Sequence, residues 1–240
     1  MKQVSLHILE NTALAQGIYR LRLGGDVSAV TAPGQFVNIK LDGFFLRRPI
    51  SVCDWQGGEL TLIYKVLGRG TAQMATLPVG TALDVLTGLG HGYDLSPAGE
   101  APLLVGGGVG IPPLYGLAKR LTAQGKRVTA VLGFNCAAEQ FLVEDFRALG
   151  VKVIVLTADG SAGVRGLVTD GMALAQGYSY LYTCGPEAML RAVYDRCVTS
   201  GQFSFEERMG CGFGACMGCS CKTLYGNKRI CRDCPVLERE

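Results

Sequence analysis

The chain has 240 residues, 48% of them hydrophobic and 18% charged, with a formal net charge of only +3. That length holds about two ordinary domains and a small appendage, and the apolar content calls for a buried core rather than disorder. The near-neutral balance, without a long Lys/Arg run, argues against a nucleic-acid partner, and no unbroken span of about 18 apolar residues suggests a membrane helix. The N-terminal MKQVSLHILE lacks the apolar run and cleavage site of a signal peptide. With ten cysteines in the chain, a reducing, cytoplasmic compartment and metal chemistry are expected rather than disulfides.

Residues 1–97 read as a small antiparallel β barrel. Strands are predicted over Val4–Leu9, Ile18–Leu23, Gln35–Leu41, Pro49–Cys53, Leu60–Val66 and Ala82–Leu86, broken by turn signals such as Gly24-Gly25, Pro33-Gly34 and Gly57-Gly58. One helix is predicted over Thr71–Leu77, with Gly70 just before it. Two stretches stand out. In Arg48-Pro49-Ile50-Ser51 an arginine at a strand start can grip a phosphate bidentately, with the serine near the same strand end. In Ile63-Tyr64-Lys65 followed by Gly70-Thr71, a glycine-rich turn opening a helix offers N–H groups to an anion, and Tyr64 offers a ring. Read singly, the first is a solvated turn and the second a tyrosine packed on the barrel.

Pro97-Ala98-Gly99-Glu100 reads as a linker, after which the pattern becomes β-α alternation over residues 98–205. Strands are expected at Leu103–Val105, Arg127–Phe134, Lys152–Leu156 and Tyr180–Cys184. Helices are expected at Ile111–Thr122, Glu139–Leu149, Leu167–Ala175 and Pro186–Thr199. Such alternation predicts a parallel sheet with helices on both faces. Gly106-Gly107-Gly108-Val109-Gly110 lies where a first strand turns into a first helix, the position that receives a dinucleotide pyrophosphate. Cys184-Gly185-Pro186 ends the last strand on the same side of the sheet. The stretch Gly133–Glu139 carries one acid and no base, which favours NAD over NADP.

Residues 206–240 hold six of the ten cysteines. Cys211-x4-Cys216-x2-Cys219 followed by Cys231 matches the plant-type spacing for a 2Fe–2S cluster. Glycines 212, 214 and 218 let backbone wrap closely around an inorganic core. A zinc ribbon on Cys216-x2-Cys219 and Cys231-x2-Cys234 is the competing reading. Spacing alone leaves Cys231 and Cys234 both open as fourth ligand, and Cys221 is surplus.

Taken together, RRPISV and IYKVLGRGT resemble the flavin-binding barrel of the ferredoxin reductase family, and Gly106-x-Gly108-x-Gly110 with Cys184-Gly185-Pro186 resembles its nicotinamide domain. With ERMGCGFGACMGC and ICRDCPVL added, the whole chain resembles the electron-transfer subunits of NAD-dependent dihydroorotate dehydrogenases. The resemblance implies FAD on Arg48, Pro49, Ile50, Ser51, Ile63, Tyr64, Lys65, Gly70 and Thr71. It implies NAD on Gly106, Gly107, Gly108, Gly110, Cys184, Gly185 and Pro186, and a 2Fe–2S cluster on Cys211, Cys216, Cys219 and Cys231. It also implies an FMN-containing catalytic subunit that oxidises dihydroorotate to orotate in pyrimidine synthesis, in a heterotetramer with two of each subunit. FAD suits such a wire because it exchanges both hydride and single electrons. Related reductase subunits serving ferredoxin, sulfide or a hydrogenase share this architecture, and a flavin-free zinc-ribbon binding protein is the alternative of another class.

Overall fold

In the first ninety residues the alternation of apolar and polar side chains wraps a sheet onto itself. The computed structural model describes residues 1–224 and 226–239. They divide into two compact units, residues 1–92 with 206–235, and residues 93–205 with the chain from Val236 onward. In the first unit β1 (Lys2–Ala15), β2 (Ile18–Gly24), β3 (Phe36–Ile39), β4 (Arg48–Gln56), β5 (Glu59–Lys65) and β6 (Ala82–Leu89) form a closed barrel in the order β1-β2-β5-β4-β3-β6. Closure leaves no open sheet edge to aggregate. Leu6, Ile8, Leu21, Leu23, Leu60 and Leu62 point inward and are fully buried or nearly so, each contributing roughly 1.5–3 kcal/mol of transfer free energy.

Strand β1 continues past its expected end at Leu9 to Ala15. The extension begins polar at Glu10-Asn11-Thr12, and it is held as a strand by pairing with β2 from Asn11↔Leu21 to Ala15↔Ile18, with irregularities at Ile8/Glu10 and Ala13/Ala15. Helix α1 (Arg69–Ala75) begins before the predicted Thr71, so Gly70 lies inside the helix and Gly68 caps it. The reason is Thr71: its hydroxyl accepts the N–H groups of Leu67 (3.0 Å) and Gly68 (3.2 Å) and donates to the Gly68 carbonyl (3.1 Å). The threonine thus closes the turn before it.

The second unit alternates strand and helix: β7 (Leu103–Gly107), α2 (Ile111–Ala123), β8 (Thr129–Phe134), α3 (Val143–Ala148), β9 (Lys152–Thr157), β10 (Val164–Arg165), α4 (Val168–Leu174), β11 (Leu181–Cys184), α5 (Glu187–Arg196) and β12 (Gly201–Ser204). Its core gathers Leu103, Val105, Val131, Leu156, Leu181 and Val193. Helix α3 starts later than the predicted Glu139. Residues 137–139 form a 3-10 turn and Leu142 is left-handed at φ 60°. This irregular entry seats Phe141 edge-on against Phe134, ring centroids 5.7 Å apart. Burying an aromatic ring outweighs a few residues of helix propensity.

The chain crosses between units at Gly92–Tyr93, ahead of the boundary expected at 97/98. Segment 97–100 is built into the second unit. Ser179 Oγ donates to the Ala98 carbonyl (2.6 Å), and the Arg127 N–H donates to the Glu100 carbonyl (3.0 Å). Residues 206–235 include a hairpin of β13 (Ser220–Thr223) and β14 (Gly226–Arg229) and belong with the barrel. The final strand β15 (Val236–Glu238) adds antiparallel to β12. The sheet of the second unit therefore has seven strands, ordered β10-β9-β8-β7-β11-β12-β15. Neither β12 nor β15 was anticipated. β12 reads Gly-Gln-Phe-Ser, with Gln202 buried by a reciprocal pair to Asp94: its Oε1 accepts the Asp94 N–H (2.9 Å) and its Nε2 donates to the Asp94 carbonyl (3.0 Å).

Candidate functional site

In the barrel, the ladder between β4 and β5 runs from Gln56↔Glu59 to Val52↔Leu62 and ends there. Beyond it, Arg48–Ser51 continue on β3 alone and Ile63–Lys65 continue on β2. The two sequence motifs are thus the continuations of neighbouring strands past the point where their shared ladder stops, which frees backbone groups for a ligand. Arg47 and Arg48 divide the work. Arg47 is structural, its guanidinium held by the Asp84 carboxylate (2.8 Å) and the Asp84 carbonyl (2.9 Å). Arg48 lies over the Phe44 ring, 4.6 Å from its centroid, and against Gly70. A Cβ on Gly70 would stand 2.7 Å from Arg48 Nη2 and 2.8 Å from Cζ. Gly70 is therefore the space that Arg48 occupies, and Phe44 is a member of the set that sequence reading missed.

Tyr64 departs from its expected role. Its side chain is 2% exposed, stacks on Tyr19 (5.8 Å between centroids, 22° between planes) and donates from its hydroxyl to Asn11 Oδ1 (3.2 Å). Burial holds the phenol well above its ordinary pKa. The ring belongs to the barrel core rather than to a ligand face, because a strand alternates and Tyr64 falls on the inward side.

In the second unit, β7 is the strand at which chain order reverses: β8 and β9 follow on one side, β11 and β12 on the other. Ligands of open α/β sheets bind beside the strand ends at such a reversal. The glycine loop leaves β7 there, and Cys184-Gly185-Pro186 leaves β11 beside it, with Cys184 paired to Gly106. A Cβ on Gly110 would lie 2.5 Å from the Cys184 carbonyl carbon and 2.6 Å from Gly185 Cα. Gly107 and Gly185 both rest on Met189 of α5. Gly108, at φ 52°, faces open space. The two loops are thus in van der Waals contact, and Gly110 is required by that contact. At the end of β8, Asn135 Nδ2 donates to Glu139 Oε2 (2.7 Å).

The cysteines form pairs. The N–H groups of Ala215 and Cys216 point at Cys211 Sγ (3.2 and 3.4 Å), and the Cys211 N–H points at Cys216 Sγ (3.4 Å). Cys219 Sγ lies 3.2 Å from Cys231 Sγ, and the Cys231 N–H also points at Cys219 Sγ (3.4 Å). Left-handed residues at Gly212, Gly214 and Met217 turn the loop so that its N–H groups face sulfur. Among the described residues no three such side chains converge as they would on a single ion. A zinc site needs four ligands around one centre. A 2Fe–2S cluster instead distributes four thiolates over two irons, which two separate pairs suit. The CxxC halves of a zinc ribbon are not the pairs observed.

Burial opposes ionisation of the Cys211 thiol, but the N–H groups of Cys216, Phe213 and Ala215 outweigh it and lower its pKa to about 6. Burial, then the neighbouring Cys219, pushes Cys231 up to about 12. Arg229 ties the loop to the turn carrying Cys231. It donates to the Gly214 carbonyl (3.0 Å) and grips Asp233 through Nε (3.0 Å) and Nη2 (3.2 Å). Cys234 is fully buried, and Cys221 lies in the hairpin opposite Lys228.

Comparison with known proteins fits this assembly. Residues 206–240 match the family model described as the iron-sulfur cluster binding domain of dihydroorotate dehydrogenase B. Over 98% of its length the chain is 44% identical to the dihydroorotate dehydrogenase B (NAD(+)) electron transfer subunit of Shouchella clausii, covering 96% of that protein. The chain belongs to the dihydroorotate dehydrogenase B electron-transfer-subunit family. The Bacillus caldolyticus member is 45% identical over 93% of this chain and 91% of its own length. Among solved structures, a chain of the NADH-dependent reduced ferredoxin-NADP oxidoreductase superposes with TM-score 0.88 at 29% identity, covering 97% of this chain and 87% of that one. Phthalate dioxygenase reductase shares the fold, with TM-score 0.68 at 18% identity over 81% of this chain and 64% of its own. The ferredoxin reductase-like architecture of this family is thereby established: FAD barrel, parallel-sheet nicotinamide domain and iron–sulfur segment. Among the described residues, no helix is long and apolar enough to cross a membrane.

Proposed function

We infer that this chain is the electron-transfer subunit of a two-component dihydroorotate dehydrogenase. It takes the electrons released when a partner oxidises dihydroorotate to orotate in pyrimidine synthesis and delivers them to NAD⁺. The observation that carries this reading is the pairing of Cys211 with Cys216 through N–H groups on each other's sulfur, and of Cys219 with Cys231 through their sulfurs, in a chain 44% identical to such a subunit. Bound FAD exchanges hydride with nicotinamide and single electrons with an iron–sulfur cluster.

The chain's own residues hold and separate these groups. Arg48 supplies the fixed cation for the flavin pyrophosphate, and Arg48–Ser51 with Ile63–Lys65 supply main-chain partners. The Gly106–Gly110 and Cys184–Pro186 loops receive NAD, and Glu139 favours it over NADP. Cys211, Cys216, Cys219 and Cys231 hold the cluster. The catalytic partner carries FMN, and the complex contains two copies of each subunit. This reading is supported by the family's designation as an electron transfer subunit, which presupposes a second chain.

Co-purification from the native cell, followed by assay of dihydroorotate-dependent NAD⁺ reduction, tests it. A dihydroorotate-oxidising partner is expected. Recovery of a ferredoxin-linked or hydrogenase partner instead would reassign the chain to a related reductase. Cys216→Ser is expected to abolish the cluster absorption and the dihydroorotate-linked activity while NADH-to-dye reduction through FAD persists.

A further inference from the structure

Strand β3 carries one polar side chain where its neighbours are apolar. Asn38 stands between Val37 and Ile39, is 1% exposed, and pairs across the barrel with Pro49 on one side and Leu86 on the other. A buried amide costs free energy unless its hydrogen bonds are made. Among the described residues this one makes a single side-chain bond. Nδ2 donates to the carbonyl of Cys211 (3.3 Å), and Oδ1 is buried without a partner among the described residues. Gly212, at φ 77°, packs on the same side chain, where a Cβ would sit 3.2 Å from Asn38 Cγ. One amide therefore touches the first cluster cysteine and its following glycine from a strand paired to the Arg48–Ser51 segment.

We propose that Asn38 is a positioning residue that fixes the cluster loop to the flavin-binding strand. The proposal rests on the cofactor assignment above. The Cys211 peptide is the hinge of the loop, because its own N–H points at Cys216 Sγ while the N–H groups of Ala215 and Cys216 point back at Cys211 Sγ. Holding the Cys211 carbonyl sets the plane of the peptide between Cys211 and Gly212. N–H donors to ligand sulfurs tune a cluster and orient its ligands. Asn38 thus controls both the local environment of the cluster and its placement relative to the flavin strand. A leucine would fill the same volume and satisfy the barrel, but it could hold nothing.

The test uses the full-length protein loaded with FAD, iron and sulfide, and two near-isosteric variants, Asn38→Leu and Asn38→Asp. Flavin content is read by absorbance, the reduced cluster by electron paramagnetic resonance, and cluster release by the rate of iron transfer to a chelator. The expected result is unchanged FAD content, shifted resonance g-values, and iron release faster by about fivefold, the ratio that one net hydrogen bond is worth. Wild-type g-values and wild-type release in both variants would overturn the proposal. Should either variant fail to fold, Asn38→Ala removes the amide without adding bulk, and its g-values and release rate decide by the same criteria. A parent protein that binds neither FAD nor a cluster would instead overturn the cofactor assignment.

Discussion

Cys219 Sγ and Cys231 Sγ lie 3.2 Å apart and both residues are buried, whereas Cys234, three positions later in the chain, is fully buried without entering that pair. Cys231, the fourth ligand that the family resemblance implies, is thus the cysteine that lies against Cys219. Cys231→Ser is expected to lose the cluster, read as iron content and visible absorption. Cys234→Ala is expected to keep both and to cost only about 1–2 kcal/mol in unfolding free energy, as for deletion of one small buried group. Loss of iron in the second variant and not the first would move the fourth ligand to Cys234.

Gly70 leaves room for the Arg48 guanidinium, so Gly70→Ala should displace the arginine without touching the barrel core. FAD affinity is expected to fall about tenfold, equivalent to about 1.4 kcal/mol, with NAD binding unchanged. Arg48→Lys should show a similar loss, since an ammonium cannot make the bidentate contact. Flavin retained on gel filtration and titration by fluorescence quenching measure both.

Gly110 abuts the backbone of Cys184 and Gly185, and backbone cannot rotate away as a side chain can. Gly110→Ala must therefore spread the two loops. NADH affinity, measured by calorimetry, is expected to drop at least tenfold, about 1.4 kcal/mol. Flavin content and the cluster spectrum should remain as in the parent. Unchanged NADH affinity would remove these loops from the nucleotide site.

Asp84 supplies a pH-dependent share of barrel stability. The Arg47 guanidinium holds its carboxyl below the usual 3.8, against burial and with help from Gln3. A depressed carboxyl contributes fully above its unfolded value of 3.8 and loses its contribution as pH falls through the lower folded value. Asp84→Asn should therefore destabilise the protein by about 0.5–1 kcal/mol at pH 7, given that the pair is partly exposed. The difference should vanish at a pH below that lowered folded value. Urea unfolding at both pH values measures it.

Much of this protein was legible in its sequence. Six strands of period-two alternation determined a barrel, strand–helix alternation determined a parallel sheet, and the short-range motifs marked where phosphates and metal would go. These signals are local, set by which residues lie two, three or four positions apart. The strands β12 and β15 were not legible, because they are four and three residues long and owe their state to neighbours in the sheet rather than to their own pattern. The extra length of β1 has the same origin in its pairing with β2.

Within the sites, the sequence determined the residue types and the tertiary structure decided their roles. The strand phase turned Tyr64 into the core, and packing assigned Arg47 to Asp84 while leaving Arg48 beside Gly70. Cysteine spacing allowed two ligand sets. Only the fold shows Cys231, rather than Cys234, lying against Cys219. Asn38 and Cys211 are 173 residues apart in sequence, and no periodicity or motif links positions at that separation. A contact of that kind exists only once the barrel has closed and the cysteine loop has packed on it.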